Sequence, residues 1–285
     1  MVVVLSLFDG ISCGRVALER AGIKVTRYYA SEIDSHAIKI SKKNYPDIIH
    51  LGDVKNWREW DLPKIDLIIG GSPCQGFSFA GKELNFDDPR SKLFFEFVDI
   101  LNYYKPKYFL LENVRMKQEY QDIISNYLGV QPIKINSALV SAQNRNRLYW
   151  TNIPNISQPL DKGIILKDVL DGDESIDFIN YFDIMKPVNS KSNRVGIIGK
   201  GGQGDRIYTT DKKSVTLMAK SGGTGAKTGL YLTGEKTVRM LMPNECERLQ
   251  NLPDNYTEGV SKAQRYKMLG NGWTVDVIAH ILRGI

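Results

Sequence analysis

Three features of this 285-residue sequence predict an α/β fold built on parallel strands. Over the first 150 residues, short β-rich runs alternate with helical patterns, the order of parallel βαβ units. The polar residues able to carry chemistry fall at the ends of the apolar runs, which is the ligand-binding edge of an open α/β sheet. Hydrophobic residues make up 42% of the chain and charged residues 25%, enough apolar side chain for a real core, which excludes disordered, collagen-like and low-complexity classes. The length suits one sizeable domain with a smaller appendage.

The elements follow in order. Val2 to Phe8 reads as a buried strand, Gly14 to Ala21 as a helix ended by Gly22, and Val25 to Ala30 as a second strand. Ser35 to Lys43 fits a helix before Pro46. Asp66 to Gly70 is the next strand, Leu93 to Tyr104 a helix stopped before Pro106, and Tyr108 to Leu111 a strand ending at Glu112-Asn113. After Trp150 come an acidic stretch, Asp161 to Asp177, and a glycine-rich, loop-like segment. Helical character returns from Pro243 to Leu249 and from Ser261 to the end, with Val275, Ile278, Ala279 and Leu282 on one face.

Several classes are excluded early. No apolar run approaches the roughly 20 residues of a membrane helix, and the opening lacks the basic start of a signal peptide. Cys13, Cys74 and Cys246 are odd in number and far apart, so neither a disulfide framework nor a CxxC metal site is expected, and a reducing, intracellular setting is. His36, His50 and His280 stand in unrelated contexts, which argues against an imidazole-based metal centre.

The net charge of +6 is unevenly placed. Lys186 to Met240 holds 11 lysines and arginines against three acidic residues, a local +8 that leaves −2 for the rest. The same segment holds 10 of the 25 glycines, interleaved with Tyr208 and Tyr231. A basic backbone able to approach closely is the footprint of a surface meeting phosphate. A solvated, flexible insertion is the alternative.

The first strand runs into Phe8-Asp9-Gly10-Ile11-Ser12-Cys13-Gly14, a tight turn feeding a helix, and Glu32 follows the second strand, where a carboxylate can accept hydrogen bonds from ribose hydroxyls. Asp53, after the next short strand, is placed for an adenine amino group. The full G-x-G-x-x-G fingerprint is absent, which disfavours NAD. S-adenosylmethionine has no pyrophosphate, so its carboxylate can use the helix N-terminus with less glycine clearance. Ordinary βαβ turn chemistry is the alternative for each residue taken alone.

Gly71-Ser72-Pro73-Cys74-Gln75-Gly76 is more specific: a thiol after a rigid proline at the end of a buried strand, among polar residues that make poor core, is placed as a nucleophile. Glu112-Asn113-Val114 and Gln143-Asn144-Arg145-Asn146-Arg147 complete a coherent set. Attack on C6 of a cytosine puts negative charge on N3 and O2. Glu112 can serve N3, the arginines can hold O2 and the carboxylate, and C5 then accepts a methyl group from a sulfonium.

These blocks, in this order, resemble the DNA (cytosine-5) methyltransferase family over residues 1–152 and 237–285. Pro73-Cys74-Gln75 is similar to its nucleophile motif, Glu112-Asn113-Val114 to its N3-binding motif and Gln143-x-Arg145-x-Arg147 to its third catalytic block. Asp88 to Phe94 resembles the end of a mobile substrate loop, Arg239 to Tyr256 the block shaping the recognition domain, and Gly270 to Trp273 the last cofactor motif. The resemblance implies a Rossmann-like mixed sheet with helices on both faces as a discontinuous catalytic domain, with a small target-recognition domain at 153–236. It implies Cys74, Glu112, Arg145 and Arg147 as catalytic. It assigns S-adenosylmethionine to Phe8, Asp9, Gly10, Ile11, Ser12, Cys13, Gly14, Glu32, Ile33, Asp53, Val54, Ser72, Pro73, Leu93, Asn271, Gly272 and Trp273. Double-stranded DNA falls to Gln75, Ser78, Phe79, Arg90, Asn113, Gln143, Lys200, Arg206, Thr216, Leu217 and Lys220, with no metal, no membrane and a restriction endonuclease as possible companion. Base flipping follows, because a stacked cytosine hides C6 and N3. The expected location is the cytoplasm, at the nucleoid in a bacterial or phage setting.

Most bacterial members carry Gly-Gly where Ser12-Cys13 stands and Ser-Val where Gly272-Trp273 stands; Phe8-Asp9-Gly10 at the front and Trp273 at the back look more like the animal de novo DNA methyltransferases. Other readings are the same chemistry on a tRNA cytosine, a catalytically silent DNA-binding regulator, which the intact Cys74, Glu112 and Arg145 oppose, and a distant NAD dehydrogenase.

Overall fold

The computed structural model describes residues 1–72, 92–175, 177–189, 192–219 and 222–285. The chain divides into two compact units, each discontinuous: residues 1–136, 146–158 and 277–285 form the first, and 137–145 with 159–276 the second.

The first unit is a seven-stranded sheet. Strands β1 (Val2–Leu7), β2 (Val25–Ser31), β3 (Ile49–Gly52), β4 (Leu67–Gly70) and β5 (Tyr108–Val114) are parallel, and the order is β3-β2-β1-β4-β5 followed by β7 (Asn146–Thr151) and β6 (Ile133–Asn136). Strand β7 is antiparallel to both neighbours, which makes the sheet mixed. Helices α1 (Cys13–Arg20) and α2 (Ser35–Asn44) serve crossovers to one side of β1, and α3 (Lys92–Tyr104) serves one on the other side. Right-handed crossovers leaving a central strand in opposite directions put their helices on opposite faces.

Local sequence accounts for these elements. All four residues of β4 are buried, as a parallel strand covered on both faces requires. Phe94, Phe97 and Val98 recur at helical spacing on α3 and enter a core with Leu5, Leu7, Ile68, Leu111 and Trp150. Asp34 caps α2, its carboxylate accepting from the His36 amide at 2.9 Å. Strand β5 runs to Val114, past the Leu111 expected from its apolar run, because Glu112, Asn113 and Val114 pair with Tyr149, Leu148 and Arg147. Helix α4 (Gln118–Leu128) and strand β6 were not expected from the sequence.

The second unit holds a five-stranded sheet, β12 (Thr237–Met240), β11 (Leu230–Gly234), β10 (Arg206–Thr209), β9 (Arg194–Ile197) and β8 (Lys186–Pro187) in that order, around a small core of Ile198, Ile207, Leu230 and Val238. The glycine-rich segment is therefore sheet as well as loop. Part of its glycine content serves internal packing: a Cβ on Gly204 would lie 2.5 Å from the Gly222 carbonyl oxygen, and the Gly225 amide donates to the Gly204 carbonyl at 2.6 Å. Helices α5 (Pro243–Leu249) and α6 (Lys262–Asn271) complete the unit, while α7 (Val275–Leu282) crosses into the first. Helix α7 buries Val277 and Ile281 as well as its expected face.

The acidic stretch has a partner. Arg239 and Glu245, both fully buried, pair through two bonds of 2.8 and 2.9 Å, and the Arg239 Nε donates to Asp173 at 2.8 Å. Arg248 joins Asp171 at 2.7 Å and Asp254 through two further bonds. These pairs fasten residues 171–173 to β12 and α5. No helix among the described residues is long and apolar enough to cross a membrane.

Candidate active site

The strand order reverses between β1 and β4, whose ends are in register at Leu7 and Gly70, so the C-terminal edge there is a crevice for ligands. Phe8 to Gly14 follow β1, Glu32 follows β2, Asp53 follows β3, Ser72 follows β4, and Glu112 and Asn113 close β5.

The turn after β1 is tightly wound. Phe8, Gly10 and Ser12 have φ of 58°, 60° and 61°, a left-handed conformation that non-glycine residues adopt at a cost. Hydrogen bonds hold it. The Ser12 hydroxyl donates to Asp9 at 2.5 Å and shares a 2.6 Å bond with Ser41, while Tyr28 donates to Asp9 at 2.7 Å. Ser12 therefore gives α1 no side-chain cap. Burial pushes the Asp9 carboxyl up to about 6, with the nearby Glu32 adding to the rise, although the Ser12 and Tyr28 bonds favour the ionised form. Ile11, Cys13 and Gly14 are buried.

The Glu32 carboxylate accepts from the Gly10 amide at 2.8 Å through one oxygen, and from the Ile33 and Asp34 amides at 2.7 and 2.8 Å through the other. These amides use three of a carboxylate's roughly four acceptor positions. One ribose hydroxyl, rather than two, can be accepted without displacing an amide. Ile33 beside it is 71% exposed, an apolar platform next to an acceptor, which is the combination an adenosine needs. Asp53 accepts from the Lys55 amide at 3.0 Å and starts a short 3-10 turn, whose first residue, Val54, is buried in the core. Leu93 packs against the same core. S-adenosylmethionine fits this set of carboxylate acceptors and apolar side chains.

At the β4–β5 edge, the buried Asn113 side chain donates to the Ser72 hydroxyl at 3.2 Å and to its carbonyl at 3.5 Å. Asn113 thereby fixes the backbone that leads into Pro73-Cys74. Glu112 is 8% exposed and its carboxylate meets the Arg147 Nε at 3.0 Å. Pro73, Cys74, Gln75, Ser78, Phe79, Arg90 and Lys220 lie outside the described residues.

The remaining residues belong to the second unit. Arg145 and Gln143 are buried, and Arg145 donates to the backbone carbonyls of Leu217, Gly270 and Gly272. The two arginines of Gln143-x-Arg145-x-Arg147 thus have different partners, a distinction that spacing alone could not reveal. Lys200 is exposed after β9, Arg206 opens β10 half-buried, and Thr216 donates its hydroxyl to the Asn144 carbonyl. Asn271 is exposed, while Gly272 and Trp273 are half-buried. Among the described residues, no three His, Cys, Asp or Glu side chains are grouped to hold a metal.

Comparison with known proteins gives the family. The model of the C-5 cytosine-specific DNA methylase family matches residues 2–157 and 116–285. The chain is 32% identical over 308 residues to the type II methyltransferase M.HhaI of Haemophilus parahaemolyticus, covering 99% of this chain and 93% of that protein. It is 35% identical over 302 residues to M1.ScrFI of Lactococcus lactis subsp. cremoris, covering 96% of this chain and 75% of that protein. An Entamoeba histolytica methyltransferase shares the fold at a TM-score of 0.76 and 21% identity, covering 100% of this chain and 97% of the other. So does the S. pombe Dnmt2 methyltransferase, at 0.73 and 20%, covering 99% and 98%. The chain therefore belongs to the C-5 cytosine-specific DNA methylases, enzymes that transfer the methyl group of S-adenosylmethionine to cytosine in DNA.

Proposed function

We propose that this chain methylates C5 of a flipped cytosine in duplex DNA, with Cys74 as nucleophile and the Glu112–Arg147 pair as the group that receives the base. The 3.0 Å contact between Glu112 and Arg147 carries the reading, because it holds a buried carboxyl group in one orientation at the end of β5, where the next residue, Asn113, is bonded to Ser72, two positions before Cys74 in the sequence.

The thiolate of Cys74 adds to C6, and a C–S bond forms as the C5–C6 π electrons move toward C5 and, through the ring, to N3 and O2. The Glu112 carboxyl proton passes to N3, which offsets that charge, and the carboxylate it leaves faces the Arg147 guanidinium. Arg147 keeps the carboxylate oriented. When bound, S-adenosylmethionine supplies an electrophilic methyl group on a sulfonium. After C5 is substituted, a water molecule takes the C5 proton, the C6–S bond breaks with its electron pair going back to the Cys74 sulfur, and N3 returns its proton to Glu112, which restores the aromatic ring. Phe8 to Gly14, Glu32, Ile33 and Asp53 hold the cofactor in this reading, while Asn271, Gly272 and Trp273 of the second unit are assigned to it by their motif alone. Asn113 acts by fixing Ser72.

The basic segment of the second unit, through Lys200, Arg206 and the Thr216-Leu217 pair, supplies DNA affinity and target choice. Relatives named type II methyltransferases support a companion restriction endonuclease, whereas an orphan methyltransferase of Bacillus phage rho11s is also 32% identical over 288 residues. Transfer of labelled methyl to duplex DNA and to tRNA, by wild type and Cys74→Ala, tests the function. Labelling of duplex DNA by wild type alone supports it; labelling of tRNA only, or labelling by the variant, contradicts it.

A further inference from the structure

Residues 137–145 belong to the second unit, and two side chains of this segment grip the recognition pair from both sides. The Leu217 amide donates to the Gln143 Oε1 at 3.3 Å, and the Leu217 carbonyl accepts from the Arg145 Nη1 at 3.1 Å. The other end of the same guanidinium donates to the Gly270 and Gly272 carbonyls at 3.1 and 2.9 Å. Gln250 closes the ring: its amide nitrogen donates to the Leu269 and Gly272 carbonyls at 2.6 and 3.1 Å, and its oxygen accepts from Gln143 at 3.1 Å. The backbones also meet directly, since a Cβ on Gly270 would lie 2.3 Å from the Met218 carbonyl carbon and the Ala219 amide nitrogen.

A guanidinium at 3% exposure is costly to desolvate, and planar donors spanning three carbonyls of two distant segments fix those segments relative to each other. The segments are Thr216-Leu217, assigned above to DNA, and Gly270 to Trp273, assigned to the cofactor. We propose that Arg145 is a positioning residue that joins the recognition pair to the cofactor block, so that cofactor and DNA binding are energetically coupled through it. The inference rests on the proposed function. Coupling of this kind is reciprocal: whatever factor the cofactor adds to DNA affinity, DNA adds to cofactor affinity.

The test is calorimetric titration of the full chain with S-adenosylhomocysteine, with and without a duplex carrying the sequence recovered by mapping methylated cytosines in an expressing host. In wild type the duplex raises the affinity about tenfold, within the usual range of coupling. In Arg145→Lys, whose ammonium cannot span three carbonyls, the factor falls toward one, whereas a merely structural role would weaken both affinities and leave their ratio intact. Hydrogen exchange on wild type keeps the question open to measurement if the variant does not fold. S-adenosylhomocysteine alone then raises protection at Leu217 to Ala219 together with Leu269 to Thr274. Protection confined to the latter, or an unchanged factor in Arg145→Lys, overturns the proposal. Failure of wild type to bind S-adenosylhomocysteine at all contradicts the methyltransferase assignment instead.

Discussion

Glu112 and Arg147 face each other across adjacent antiparallel strands, their charged atoms 3.0 Å apart. The register explains why they meet. Glu112 is paired with Tyr149, and Arg147 lies two residues from Tyr149 on the same strand, so both side chains emerge on one face as diagonal neighbours. The pair therefore depends on β7 running antiparallel between β5 and β6.

Glu112→Gln retains hydrogen bonding but loses the proton. Turnover is expected to fall on the order of 100-fold, with cofactor and DNA affinity little changed. Chelator treatment is expected to leave wild-type turnover unaltered; inhibition reversed by magnesium would contradict the assignment.

Asp9 gives a pH signature. Its folded pKa, about 6, lies above the ordinary 3.8, so the folded chain binds the proton more tightly than the unfolded one. This contribution to stability is fully present below about pH 4 and is lost as pH rises to about 6. Asp9→Asn should remove that loss, roughly 2 kcal/mol after allowance for partial exposure, as read from urea unfolding across pH 4 to 8. Equal pH dependence in both proteins would show that Asp9 is not the source.

Much of the first unit was legible because its signals are local. Buried strands such as Val2–Leu7 and Leu67–Gly70 are continuous apolar runs, and the helices between them carry breakers at their ends. The β5 extension was hidden because Glu112-Asn113-Val114 owes its strand character to pairing with β7. The strands at 194–197, 206–209 and 230–234 were masked by a glycine content that reads as loop. The Arg239–Asp173 pair spans 66 residues, so neither its charges nor its burial could be anticipated from spacing. The differing fates of Arg145 and Arg147 were hidden for the same reason.

Removal of Glu245 leaves the Arg239 guanidinium buried with Asp173 as its only remaining carboxylate among the described contacts. Glu245→Ala is expected to destabilise the chain by about 3 to 5 kcal/mol, measured by denaturant unfolding. A loss below about 1 kcal/mol would place the pair among surface-type ion pairs of small effect.

Lys200→Ala and Arg206→Ala should weaken DNA binding similarly on all sequences. Each should reduce the slope of log affinity against log salt by about one. Unchanged slopes would remove these residues from the phosphate contacts.

The central claim is that Cys74 bonds covalently to cytosine C6, and duplex DNA containing 5-fluorocytosine tests it most directly, because fluorine at C5 cannot leave as a proton does. With S-adenosylmethionine present, wild type is expected to form a denaturation-resistant protein–DNA adduct and Cys74→Ala none. An adduct that persisted in Cys74→Ala, or its absence in a wild type that methylates ordinary duplex DNA, would contradict the account.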